Sequence, residues 1–312
     1  MDAYVVVLGG LNFDLVIRGS RMPNKGESVF GKSFHTFPGG KGANQAVQLA
    51  RLGVQTCLLG RVGNDIYGDH LIASLEGEGL RTDALIRDSE LGTGKGWVFV
   101  DDEGDNYIII LPEANMNWAK GDLEALADLL SGAACLLCQL ETPVPIVKAC
   151  LRQAKDAGLM TVLNTAPATT LPADLFTHVD LLILNQTEAA FYLGHAVAGA
   201  DQARAAAADL LAKGCGAVVI TLGDQGAVAA DGSGICHCGA FSVRAVDVTA
   251  AGDSFCAALA YALLQGDDLY SGLKFACASG ALTVTRAGAQ PSLPKLAEIR
   301  AFMESESARH VN

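Results

Sequence analysis

The sequence predicts an α/β protein of three layers, helix on sheet on helix, around a mainly parallel sheet, with a small β-sheet set over it as a lid. Two observations carry the main sheet. Short apolar runs of strand length recur along the chain, at 5–10, 57–62, 134–141, 160–164, 181–185 and 217–222. Ala-rich or amphipathic stretches of helical length lie between them, at 68–77, 120–130, 145–157 and 201–213. A strand apolar on both faces must be covered on both, and the intervening helices supply that cover. A third observation supplies the lid. Segments 95–101 and 107–111 are strand-like and flank the polar turn 102–106, while 14–37 is extended around Pro23, Gly26 and Gly31. These pieces are expected to form a lid from about 14–36 and 93–112, inserted into a single domain spanning 1–312. An immobile antiparallel extension at the edge of the main sheet accounts for the same pattern.

The start, MDAYVVVLGGLNFD, has no basic segment and reaches a Gly pair after a handful of apolar residues, so it reads as a first strand and not as a signal peptide. No apolar run approaches the roughly 18 residues of a membrane span. The chain carries 34 acidic and 22 basic side chains, a net charge of −12. No cluster of Lys and Arg offers phosphate contacts, so neither a nucleic-acid nor a membrane partner is expected. Nine cysteines without framework spacing fit the reducing cytoplasm. Two cysteine pairs, Cys135 with Cys138 and Cys236 with Cys238 around His237, lack the companion donors of a four-ligand metal site and read as ordinary strand residues.

Segment 39–46, GGKGANQA, packs glycines, Lys41 and Asn44 ahead of a helix whose small apolar face is Ala43, Ala46, Val47 and Ala50, with Gly53 as its stop. Glycine permits close backbone approach to a ligand, and Lys41 and Asn44 are able to hold hydroxyls. The spacing is not that of a Walker A loop.

Segment 247–255, DVTAAGDSF, opens a second helix, because Phe255, Ala258, Leu259, Ala262 and Leu263 repeat at helical spacing. Its first-turn amides form an anion site. Asp253 then lies in the first turn, where it is either a capping residue or a catalytic acid–base group. A carboxylate beside an anion hole meets two needs of phosphoryl transfer, a base for the attacking hydroxyl and donors for developing charge. Asn185-Gln186-Thr187-Glu188 and the segment 221–226 each follow an apolar strand, at the end where open α/β sheets bind ligands.

Together these segments resemble the ribokinase family of carbohydrate kinases. GGKGANQA at 39–46 and DVTAAGDSF at 247–255 are similar to that family's two signatures, and Asn185 to Glu188 to its Asn-x-x-Glu motif. Asn12-Phe13-Asp14, the Gln-Leu-Glu ending at Glu141, Asn164 to Ala168 and Gly288 to Ser292 extend the likeness over nearly the whole chain.

The resemblance implies that Asn12, Asp14, Gly40, Lys41, Asn44 and Glu141 bind a sugar and that Asp253 is the base. It implies an anion hole from the backbone of Ala250, Ala251 and Gly252, and ATP contacts from Asn185, Thr221, Gly223, Gly226 and Gly252. Glu188 would organise Mg²⁺ through water, and Asp247, Thr249, Thr283, Arg286, Gly288 and Ser292 would surround an activating monovalent cation such as K⁺. The implied reaction passes the γ-phosphoryl group of MgATP to a primary hydroxyl of a pentose, D-ribose first, with deoxyribose, a ketohexose or a nucleoside as alternatives. A homodimer paired through the lid is implied as well.

The sequence departs from the family pattern at Cys277, near the expected adenine, and in the lid at Lys95, Trp97 and 111–115. The lid departures bear on which acceptor is taken. Two other classes remain: a sugar or nucleotide sensor without catalysis, and a nicotinamide oxidoreductase, whose Gly-x-Gly-x-x-Gly spacing Gly9-Gly10-Leu11-Asn12-Phe13 lacks.

Overall fold

The computed structural model describes residues 4–103 and 105–309. The chain opens with β1 (Tyr4–Leu8), β2 (Asn12–Gly19), β3 (Gly31–Gly39), α1 (Lys41–Arg51), β4 (Thr56–Gly63), α2 (Ile66–Gly77) and β5 (Leu85–Asp88). It continues through β6 (Gly94–Val100), β7 (Asn106–Leu111), α3 (Leu126–Leu130), β8 (Ala133–Cys138), α4 (Val144–Asp156) and β9 (Met160–Asn164). Then come β10 (Leu181–Asn185), α5 (Gln186–Leu193), α6 (Gly199–Leu211), β11 (Ala217–Thr221), β12 (Ala227–Asp231) and β13 (Gly234–Cys238). The chain closes with α7 (Ala251–Leu264), α8 (Leu269–Thr283) and α9 (Leu296–Arg309).

Nine strands form the large sheet, in the order β13-β12-β11-β10-β9-β8-β1-β4-β5. From β11 to β5 the pairings are parallel, and β12 and β13 add an antiparallel edge. Period-two alternation splits the core into two layers. Val5 and Val7 of β1, Cys135 and Leu137 of β8 and Ile183 of β10 face α1, α2, α7, α8 and α9. Val6 and Leu8, Leu136 and Cys138, and Leu182 and Leu184 face α3, α4, α5 and α6. Cys135 and Cys138 therefore lie on opposite faces of the sheet, one in each core.

The lid is a separate four-stranded sheet, β3-β2-β6-β7, and not an edge extension of the main one. β6 and β7 pair antiparallel, as the 95–101 and 107–111 pattern predicts; Gly104, within the turn between them, lies outside the described residues. Phe13 and Leu15 of β2 anchor this sheet in the core, Phe13 packing on Tyr67 with ring centroids 5.1 Å apart.

The predicted helix over 120–130 is two pieces, a 3₁₀ turn at Lys120–Leu123 and α3. Asp122 explains the break: its carboxylate accepts from Ala119 N (2.7 Å) and pairs with the Arg61 guanidinium, pinning a tight turn where a continuous helix would run. Among the described residues no helix is long and apolar enough to cross a membrane.

Candidate functional site

The strand order reverses direction between β8 and β1, and chain segments from both sides converge beyond the carboxyl ends of these strands. After β1, Gly9 and Gly10 let α1 approach: a Cβ on Gly42 would come within 2.6 Å of Gly9 C, and one on Gly40 within 2.6 Å of Asn12 N. Gly40, at φ 91°, is the residue before the first turn of α1. The resulting cradle brings the expected sugar residues together. Lys41 N donates to Glu141 Oε2 (2.7 Å), and Asn12 Nδ2 reaches Glu141 Oε1 (3.4 Å). Asn115, expected only as one of the lid departures at 111–115, fixes Leu11 through two backbone bonds (2.9 and 3.0 Å) and donates to Asn12 Oδ1 at 2.9 Å.

Asp14 reaches the site from the lid. Its register partners are Phe37 and Gly96. Gly39 and Gly96 clear space for the carboxylate, since a Cβ would sit 2.4 Å from Oδ2 at the first and 2.3 Å from Oδ1 at the second. Lys95 and Trp97 pair with Phe13 and Leu15, so they occupy the face opposite Asp14. Lys95 Nζ instead donates to Thr93 O (2.8 Å), lies 3.9 Å from Glu113 Oε1 and sits over the Tyr67 ring. Two of the lid departures thus face away from the pocket they were expected to alter.

Asp253 lies in the first turn of α7 but does not cap it. The cap position is Ala250, held in the left-handed region at φ 60°, and both Asp253 oxygens are engaged from across the fold. Asn44 Nδ2 donates to Oδ2 (2.9 Å) and Gln45 Nε2 to Oδ1 (3.0 Å). Asn44 Oδ1 is buried and finds no partner among the described residues, which leaves an acceptor beside the carboxylate for a hydroxyl. Of the expected anion-hole amides, Ala251 N is taken by Val248 O at 3.3 Å, whereas Gly252 stands at the open end of the helix.

Thr221, Gly223, Gly226 and Gly252 line one cavity of about 480 Å³, together with Cys277. Phe241 and Val248 supply apolar walls that the aperiodic 239–248 stretch did not disclose, and Val284 at the end of α8 adds another. Asn185 lies outside that lining but is the register partner of Thr221. With Glu188 it forms a reciprocal cap on α5: Asn185 Oδ1 accepts from Glu188 N (2.8 Å), and Glu188 Oε2 from Asn185 N (2.9 Å). Burial raises the Glu188 carboxyl above its ordinary range.

Lys41 links the two halves electrostatically. Asp253 contributes most to raising its pKa, burial opposes, and Glu141 and Glu188 add to the rise. Its charge thus couples to Glu141 of the cradle, to Glu188 at the start of α5 and to Asp253 at the start of α7.

Segments 247–249 and 283–292 also meet. Asp247 accepts from Thr249 N and Oγ1 (2.9 and 2.6 Å) through Oδ1, and from Gly288 N (2.9 Å) through Oδ2. Thr283 and Ser292 turn their hydroxyls onto Ser279 O and Ala289 O, and Arg286 pairs with Glu298. Among the described residues no three His, Cys, Asp or Glu side chains form a metal-holding group.

Residues 2–296 match the family model described as pfkB family carbohydrate kinase. A ribokinase of Schizosaccharomyces pombe is 37% identical over 305 residues, covering 95% of this chain and 96% of the relative. A deoxyribokinase of Salmonella typhi is 32% identical over 300 residues, covering 96% and 98%. The solved structure of Arabidopsis thaliana ribokinase complexed with ribose and ATP superposes with a TM-score of 0.90 at 31% identity, covering 97% of this chain and 99% of that one.

Proposed function

The chain belongs to the pfkB family of carbohydrate kinases, and from that membership we propose that it transfers the γ-phosphoryl group of ATP to the 5-hydroxyl of D-ribose. The observation that carries this reading is the position of Asp253. One of its oxygens is held by Asn44 of the polar cradle, and its helix begins at the cavity lined by Gly252, Thr221 and Gly226. A hydroxyl placed between the cradle and that helix end has a base on one side and a phosphate site on the other. Asn12, Asp14, Asn44, Lys41 and Glu141 supply the polar contacts that a pentose needs, and the amides at the α7 N-terminus receive phosphate oxygens. Mg²⁺ would enter with the nucleotide, neutralising phosphate charge, with Glu188 placed to hold its water. A monovalent cation such as K⁺, held mostly by backbone carbonyls, is proposed for the 247–249 and 283–292 loops, where the Thr283 and Ser292 hydroxyls are turned onto the protein's own backbone.

The acceptor is tested by a panel of D-ribose, 2-deoxy-D-ribose, D-fructose and adenosine, read by coupled ADP release. D-ribose is expected to show the highest kcat/KM. Preference for 2-deoxy-D-ribose would move the reading to the second acceptor, which the similarity to a deoxyribokinase favours. ATP turnover unaffected by every sugar would replace catalysis with a sensor role.

Burial pushes the Asp14 carboxyl up to about 6. It pushes Glu141 up to about 7, against a partial offset from the Lys41 charge. Raised folded values mean that both groups favour the folded chain at low pH and lose that contribution as pH rises through 6 and 7. Hydroxyls donating to the ionised carboxylates reverse the trend. Sugar affinity is therefore expected to rise with pH between about 5 and 8, with protons released on binding. Calorimetry in buffers of different ionisation enthalpy measures both; a flat affinity without proton release would contradict the assignment of these carboxylates.

The lid is proposed to pair with that of a second copy. Tyr107 to Leu111 of the edge strand β7 are between 40% and 61% exposed on both faces, with Trp97 and Phe34 nearby also exposed. Light scattering is expected to report a dimer, and Ile109→Asp a monomer. A wild-type chain that is monomeric at micromolar concentration would remove this pairing.

A further inference from the structure

Gln45 is fully buried on α1, and its amide uses both N–H donors and one lone pair of its oxygen. Nε2 donates to Asp253 Oδ1 (3.0 Å) and to Asn164 Oδ1 (3.1 Å), while Oε1 accepts from Gln139 Nε2 at 2.5 Å. The direction of this chain is set by a backbone atom. Asn164 Nδ2 donates to Ile183 O at 3.2 Å, and a carbonyl can only accept. Asn164 must therefore turn its oxygen toward Gln45, and Gln45 must turn its NH₂ toward both Asn164 and Asp253. Flipping Gln45 would set its oxygen against two acceptors at once.

We propose that Gln45, oriented by Asn164 and braced by Gln139, is a positioning residue that fixes the Asp253 carboxylate for proton abstraction; this rests on the reading of Asp253 as the base. With Asn44 on Oδ2, both carboxylate oxygens are held by neutral amide N–H groups. Such donors lock the rotation of the carboxylate without adding a second positive charge to that of Lys41, which already acts on it. Each oxygen keeps a lone pair that these donors do not use, free to take the proton of the acceptor hydroxyl.

The surroundings are built to admit this network at some cost. Gln139 is fully buried and its Oε1 has no partner among the described residues. Gly9 makes room for it, since a Cβ there would stand 1.9 Å from Gln139 Oε1. Apolar side chains of similar volume would fill the gap between β1, β8 and α1 without desolvating three amides. What the amides gain over apolar filling is a donor aimed at Asp253.

The test compares Gln45→Met, Gln45→Glu and Asp253→Asn by kcat, sugar KM and the pH profile of kcat. Gln45→Met is expected to lower kcat by about tenfold to a hundredfold with sugar KM little changed, as misorientation of a catalytic group does. Gln45→Glu keeps the shape but sets a second carboxyl against Asp253, so the acidic limb of kcat moves to higher pH. Gln45→Met removes an N–H donor from the carboxylate and is expected to move the limb the same way, whereas a residue that only supports packing would leave it in place in that variant. Wild-type kcat and an unmoved limb in both Gln45 variants, with Asp253→Asn inactive, overturn the positioning role alone. Near-normal turnover of Asp253→Asn overturns the base assignment beneath it. Should circular dichroism show the Gln45 variants unfolded, Gln139→Met, one bond further out, is read by the same two criteria, a lower kcat and a displaced limb for support and neither for rejection.

Discussion

Asp253→Asn is expected to fold, to bind sugar with nearly unchanged affinity, and to turn over about 10²- to 10⁴-fold more slowly than wild type. The substitution keeps the shape of a buried side chain and removes its charge and basicity. Asn44 and Gln45 both donate to the present carboxylate, so an amide at 253 satisfies one of them and turns its own NH₂ toward the other. That mismatch costs about 1–3 kcal/mol, a sizeable part of the roughly 5–15 kcal/mol that holds a folded domain but less than the whole of it. Lys41 loses the largest of the charges that raise its pKa but keeps Glu141 and Glu188, so the cradle stays cationic at its centre. Single-turnover transfer from ATP, set beside calorimetric sugar binding, separates chemistry from affinity. Turnover within a fewfold of wild type in a folded protein would mean that another group takes the proton.

The large sheet was legible because its central strands are apolar on both faces, a pattern that water-facing segments cannot afford. β12 was not, and β13 was read only at Cys236 and Cys238, because AVAAD and GICHC are short, small or mixed in polarity and become strands by pairing antiparallel, β12 on β11 and β13 on β12. Segment 39–46 was readable as a ligand loop from its density of glycine, lysine and asparagine, and segment 247–255 from an acid placed in the first turn of a helix. The competing explanation of Asp253 as a helix cap falls to geometry that no local pattern encodes. Ala250 occupies the cap, and the partners of Asp253 come from more than 200 positions away in the chain. Gln45 and Gln139 were missed for the same reason, and Asn115 was read only as a lid departure. Buried amides carry no periodicity of their own, and their meaning lies wholly in what they meet. Glu188 shows the converse, because the motif was legible and half of its role turns out to be local: its carboxylate caps α5.

Gly40→Ala is expected to damage both stability and sugar binding, and comparison with Gly53→Ala isolates the second effect. Both glycines have positive φ, 91° at Gly40 and 87° at Gly53, so alanine strains the backbone at each by about 1–3 kcal/mol. Their surroundings differ. A Cβ at Gly53 meets nothing within 4 Å. At Gly40 it would lie 2.6 Å from Asn12 N and from Gly10 O, and 2.9 Å from Leu11 Cα. All three are backbone atoms, and Leu11 is clamped by Asn115, so they cannot swing aside as a side-chain tip would. Overpacking of this kind adds about 1–3 kcal/mol and is relieved only by moving α1 away from the 9–12 segment. That displacement pulls Lys41 N from Glu141 and Asn12 from its place in the cradle, so sugar affinity should fall by about tenfold or more, as one lost charge-assisted hydrogen bond alone would cause. Thermal unfolding and calorimetry of the two variants distinguish strain from site geometry. Equal melting losses with wild-type sugar affinity in Gly40→Ala would show that the close approach of α1 to the first strand does not build the sugar site.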